Sequence, residues 1–285
     1  MVKFSIRNGI LPEKINVNGD NVPLKHRLWT LFYQSAYEPY DSVEPELTDI
    51  EKVMVELGVH YEFPYNRIEK KKNVETLKKR IITTHCWWYV YELIEIYIAR
   101  ILQKDKKEFF ISQVNRILEE ENSGYRMLSE IFVPITNEIE LDSIEEALFS
   151  SFEAVEIHMK KALYLFSDHV HPDYENSIKE SISAVESMCC IITGESGKAA
   201  TLGATLKKLE RHNIHIHEAM KSAFEKLYGY TSDENGIRHG GIDFKGATPD
   251  DARYMLVSCS AFINYLTAQK VRINLNYSRL CHECG

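Results

Sequence analysis

Apolar positions recur at helical spacing along most of the chain. The stretch 23–37 places Leu24, Leu28, Leu31 and Phe32 on one stripe and predicts a first helix. A second is expected over 47–57, followed by an aromatic, proline-containing loop ("VHYEFPYN"). One long helix is expected over about 74–103, with Trp88, Tyr91, Leu93, Ile94 and Ile98–Leu102 near helical spacing. Asp105 reads as the N-cap of the next helix, which carries Glu119, Glu120 and Glu121 at its C-terminal end, against the helix dipole. "NSG" at 122–124 stops it. "YRMLSEIFVPI" then alternates around a Ser-Glu turn and predicts a short hairpin, with Pro134 keeping it at an edge. Beyond Glu138 the pattern is helical again. One long run carries "IEEALFSSFEAVEIHMKKALYLF". The next starts with Pro172 at an early helical position, ends at Gly194, and has Tyr174, Ile178, Ile182, Val185, Cys189 and Ile192 as its buried stripe. Shorter helices are expected in "TLGATLKKLE" and "IHEAMKSAFEKLYGY". The last, over 249–270, has Thr248 as cap and Pro249 at its first position. The expected fold is mostly α: two helical domains, 1–140 with a hairpin near 125–135, and 141–285 ending in a short tail.

Composition narrows the function classes. The chain has 285 residues, 44% of them hydrophobic and 27% charged, as an ordered globular protein requires. Its longest apolar stretches, such as "CWWYVY" at 86–91, are far below a membrane span, and "MVKFSIRNG" has no apolar signal core, so no membrane association is expected. The six cysteines lack framework spacing and read as reduced thiols in a cytoplasmic protein. A net charge of −8 is not the footprint of a protein that grips long duplex nucleic acid, but it leaves room for a narrow site on a single-stranded loop. Two basic runs, "IEKKK" (68–72) and "LKKR" (77–80), read as solvated helix faces.

Three apparent motifs fail on detail. "GESGKAATLG" at 194–203 is no phosphate-binding loop: Ile192 stands where the first glycine is needed, Ala199 where Ser or Thr should be, and it follows a helix. Cys281, His282 and Cys284 are half a zinc site without a second pair, so neither metal nor cofactor is expected. "RHNIHIH" at 211–217 reads as a surface connection. "SDENGIRHGG" at 232–241 is more informative. It reads as a helix N-terminus capped by Ser232 or Asp233, with Arg238 and His239 side by side. Two cations there oppose the dipole unless an anion offsets them, and a phosphodiester is such an anion. A neutral His239 can take the proton of a 2′-hydroxyl while Arg238 stabilises charge on the phosphorane. Asp233 and Asn235 are supporting candidates. Arg238 is equally a structural partner for Glu186, a carboxylate beside the buried stripe of its helix that needs pairing.

The stretches "FSIRNG" (4–9), "RLWTLFY" (27–33), "NRILEEENSGYRMLSEIFVPIT" (115–136), "PDYENSIKESISAVES" (172–187), "ATLGATLKKLE" (200–210) and "LYGYTSDENGIRHG" (227–240) span most of the chain. In these it resembles abortive-infection proteins of the AbiJ type, in the form with a C-terminal HEPN-like domain. The resemblance implies a helical bundle that homodimerises and a metal-independent ribonuclease active in phage defence, on tRNA or other RNA, responding to a phage-derived or host trigger. It also implies an Arg-polar-x(3–5)-His motif meeting its copy at the dimer interface. Arg238 matches the arginine and His239 the polar position. No histidine follows in "GGIDFK" (240–245), so either His239 takes over as the base or the domain is a non-catalytic dimerising or sensing module.

Overall fold

The structure, a computed structural model, describes residues 21–36, 47–63, 67–84, 86–168, 171–196, 202–232 and 246–283. The chain divides into two compact units, Met1–Thr136 and Asn137–Gly285. It is mostly helical with one short antiparallel hairpin, as the apolar pattern predicts.

Unit 1 contains α1 (Val22–Ala36), α2 (Asp49–Glu56), α3 (Arg67–Thr83), α4 (Tyr89–Ile96, continuing as a π turn over Tyr97–Ile101), α5 (Lys104–Glu120), β1 (Arg126–Leu128) and β2 (Ile131–Val133). Leu24, Leu28 and Phe32 of the expected α1 stripe are buried together with Trp29 and Ala36, while Leu31 is only partly covered. They meet Val53, Met54, Leu77, Ile81, Leu93, Ile94, Val114 and Leu118 in one core. The single helix expected over 74–103 is two. The run Ile81-Ile82-Thr83-Thr84 is β-branched throughout, and the hydroxyls of Thr83 and Thr84 donate back to the carbonyls of Lys79 and Arg80 (both 2.7 Å). The buried ammonium of Lys25 takes the freed Thr84 carbonyl at 2.9 Å. Gln103, not Asp105, occupies the N-cap of α5, and Asp105 lies in its first turn, where the dipole favours it. The acidic end of α5 is offset from outside: Arg27 of α1 pairs with Glu120 and, at 2.8 Å, with Glu121.

Buried polar ties hold the smaller elements of this unit. Glu51, 1% exposed, accepts from the N–H and hydroxyl of Thr48 at the start of α2 and from the Asn73 amide at 2.8 Å. Asn73 also grips the backbone of Glu62, donating to its carbonyl (2.7 Å) and accepting from its N–H (2.9 Å). In the hairpin, Met127 faces Phe132. The Asn115 side chain binds both the N–H (2.7 Å) and the carbonyl (2.9 Å) of Met127, and the Glu95 carboxylate accepts the Phe132 N–H at 2.6 Å. The turn places Ser129 (φ 48°) and Glu130 (φ 74°) in the left-handed region without a glycine or asparagine.

Unit 2 contains α6 (Glu138–Leu148), α7 (Glu153–Ser167), α8 (Tyr174–Thr193), α9 (Leu202–Lys208, followed by a 3₁₀ turn over Leu209–His212), α10 (Glu218–Ser232) and α11 (Pro249–Glu283). The long run expected from 144 breaks at Phe149–Phe152, where the Ser150 hydroxyl accepts the Phe152 N–H (3.3 Å) in competition with the helix. Helix α8 packs against α7 and α11. Ile178, Ile182, Val185 and Cys189 of its expected stripe are buried, whereas Tyr174 and Ile192 are only partly so. Pro172 precedes the helix, and Asp173 is the N-cap, accepting the Asn176 N–H at 3.0 Å. "RHNIHIH" is less superficial than expected: Ile214 and Ile216 insert into the core between exposed His215 and His217.

Candidate active site

Helix α8 is the element against which the expected site is built. It ends at Gly194, whose left-handed φ of 69° closes the helix with an N–H bond to the Cys190 carbonyl (2.8 Å). Glu186, half-buried on this helix, accepts the N–H of Leu202, the first residue of α9, at 3.3 Å. Burial pushes the Cys189 thiol up to about 12, and Cys190 is raised by burial and by the Glu186 and Glu195 carboxylates. These thiols are therefore protonated at neutral pH and are poor nucleophiles. Among the described residues Cys86, Cys189, Cys190 and Cys259 form no disulfide. Of the five residues singled out from the sequence, Glu186 alone is described; Asp233, Asn235, Arg238 and His239 lie outside the described residues.

The described ends of the 233–245 stretch converge on the first turn of α8. Tyr230, near the end of α10, has its phenol raised by burial and then by the carboxylates of Asp251 and Glu175. Gly246 has φ 79°, and a methyl group added there would stand 3.8 Å from Glu175 Oε1. Thr248 then caps α11. Its N–H (2.9 Å) and hydroxyl (2.6 Å) donate to Asp251, and its hydroxyl accepts the Asp251 N–H (3.2 Å). Of the two caps expected for "SDENGIRHGG", Ser232 lies instead in the last turn of α10, and Asp233 lies outside the described residues. Glu175 and Glu186 lie three turns apart on one side of α8, ~16 Å at the helical rise.

Residues 2–150 match the family described as AbiJ N-terminal domain 4. The chain belongs to this AbiJ family. The match covers just over half of the chain, including all the described elements of unit 1 and all of α6. The AbiJ domain carries the abortive-infection, phage-defence assignment. Comparisons with curated proteins and with solved structures gave no match.

The AbiJ protein also holds a titratable cluster that the sequence reading missed. On the surface between α7 and α8, His158 Nδ1 lies 2.7 Å from Glu180 Oε2, and Lys161 donates to the other carboxylate oxygen. Burial alone would raise Glu180, but the bonds from Lys161 and His158 outweigh it and hold the carboxyl below its ordinary range. His158 and Lys161 lie 22 and 19 residues before Glu180 on a separate helix, and no local motif announces them. Among the described residues no group of three or more His, Cys, Asp or Glu is placed to hold a metal ion, and no helix is long and apolar enough to cross a membrane. The tail side chains of Cys281, His282 and Cys284 lie outside the described residues.

Proposed function

We propose that the chain is an antiphage abortive-infection effector acting in the cytoplasm as a metal-independent endoribonuclease, with unit 2 as its HEPN-like, homodimerising domain. The AbiJ match over 2–150 carries this reading, because it supports a defence role for a chain that also contains the Gly-Ile-Arg-His block. In the proposed reaction neutral His239 takes the proton of a 2′-hydroxyl, and the 2′-oxygen attacks the adjacent phosphorus. Arg238 stabilises the charge on the phosphorane. The bond to the 5′-oxygen breaks, that oxygen takes up a proton, and a 2′,3′-cyclic phosphate remains. The substrate class is RNA, tRNA included, and the trigger is a phage-derived or host factor. Asp233, Asn235 and Glu186 are assigned supporting roles.

The lack of a histidine at 240–245 favours a second reading, in which unit 2 is a non-catalytic dimerisation or sensor module. Incubating total tRNA and a single-stranded RNA with purified protein in EDTA separates the two. Cleavage by the wild type, lost in Arg238→Ala and His239→Ala variants that keep their circular dichroism, supports the ribonuclease. Cleavage that survives both substitutions refutes the assigned centre, and intact RNA throughout favours the module.

A further inference from the structure

The two basic runs of the sequence lie on one helix. Arg67, Lys71, Lys72, Lys78 and Lys79 of α3 fall within about 140° of arc at ~3.6 residues per turn, on the side opposite buried Leu77 and Ile81. All are exposed except Lys78, which is half-buried. Glu75 is the one carboxylate of α3 inside that arc, and Glu62 pairs with Lys72 at 3.2 Å. Arg67, Lys71, Lys78 and Lys79 make no ion pair among the described residues. A depression of ≈ 530 Å³ opens on this face, lined in part by His60, Ile68, Lys71, Lys72 and Thr76. A concentrated positive strip on a chain of net charge −8 calls for a polyanionic occupant.

The end of α3 adds an aromatic step. Arg80, about 80° round α3 from the nearer edge of the basic arc at ~3.6 residues per turn, sits 4.5 Å above the ring of Tyr89, and Tyr89 stacks on Trp88 with centroids 6.2 Å apart and planes 24° from parallel. Trp88 is 45% exposed, and Trp87 braces it edge-on. Cations that track a backbone beside an open ring are the elements of single-strand recognition, since a duplex offers no unpaired base to stack. A bilayer is a poor occupant: a helix lying on a membrane needs an apolar side to insert, and that side of α3 is spent in the core.

We propose that the solvent face of α3, with the Trp88–Tyr89 step, is a binding surface for single-stranded RNA. The choice of RNA over DNA rests on the ribonuclease reading; the surface itself does not. The test is fluorescence anisotropy of an unstructured RNA of about 20 nucleotides, end-labelled, with full-length protein in EDTA over a range of salt. Five phosphate contacts give a slope of log K against log salt near −3.5, at about −0.7 per contact on a single strand. The triple variant Lys71→Ala/Lys78→Ala/Lys79→Ala should make the slope shallower by about 2. Trp88→Ala should weaken binding roughly tenfold at unchanged slope, because it removes stacking and no charge. Unchanged slope and affinity in the triple variant, or no RNA bound at ~50 mM salt, would overturn the surface. So would anionic vesicles being bound while RNA is not. Equal affinity for DNA of the same sequence would overturn the choice of RNA. The RNA is recovered on a gel after each titration: binding without cleavage counts against the ribonuclease alone, and cleavage with binding untouched by the triple substitution counts against the surface alone.

Discussion

The two units are held together differently. In unit 1 the short elements are tied by buried polar groups: Lys25 on the Thr84 carbonyl, Asn73 between Glu51 and Glu62, Asn115 and Glu95 on the hairpin backbone. In unit 2 long helices meet through aliphatic stripes, and, apart from buried Lys221 on Glu210, the ion pairs lie at the margins, such as Arg253 with Glu140 at 2.5 Å and Glu180 with His158. A polar tie specifies one arrangement at a high local cost if half of it is removed, whereas a marginal ion pair contributes little. Unit 1 should therefore be brittle at single polar positions and unit 2 tolerant of them.

All three tryptophans, Trp29, Trp87 and Trp88, lie in unit 1, so their fluorescence reports that unit, while far-ultraviolet ellipticity reports both. The largest effect is expected for Asn73→Ala, which takes the Asn73 partner from Glu51 Oε1, inside a buried side chain, and from two backbone groups of Glu62. Urea unfolding followed by tryptophan emission should show a loss of about 3–4 kcal/mol. The matching change in unit 2, Glu180→Gln, should cost under ~1 kcal/mol by ellipticity. Equal losses would break the comparison.

Next comes Glu95, whose carboxyl burial holds up at about 7. The folded unit then keeps a proton that the unfolded chain releases at its ordinary, lower pKa. The stability this contributes is fully present below the unfolded value and is lost as pH rises through about 7. Glu95→Gln keeps an oxygen for the Phe132 N–H and has no charge to bury. It should flatten this pH dependence and gain about 2 kcal/mol at pH 8. A wild-type slope retained in the variant would show that Glu95 is not its source. The smallest shift is expected at the hairpin turn. Replacing Ser129-Glu130 by Asn-Gly suits the positive φ values and should raise stability by about 1 kcal/mol, net of the Lys107–Glu130 pair it removes.

The same contrast explains what was legible in the sequence. Aliphatic stripes predicted α8 and the capped start of α11 closely, since Ile178, Ile182 and Val185 announce their face by spacing alone. The break at 84–88 was not legible, because it depends on Lys25, some 60 residues earlier, accepting burial against the Thr84 carbonyl. The hairpin was read from its alternation, but not the side chains that complete its backbone bonding. At the candidate site the Arg-His pair was visible as a motif. The role of Glu186 in holding the start of α9 was not, because a backbone partner leaves no mark in residue type. The basic runs were visible separately, and only the helical geometry of α3 merged them into one face.

The Asn115 amide has a further consequence. By occupying both hydrogen-bonding groups of Met127, it leaves β1 nothing to offer on its outer side. Without that amide, two backbone groups of β1 at buried Met127 would lose their partner beneath the helix. One side chain on a neighbouring helix thus completes the backbone bonding of the strand, and substitutions at Asn115 would loosen the hairpin from the helix beneath it.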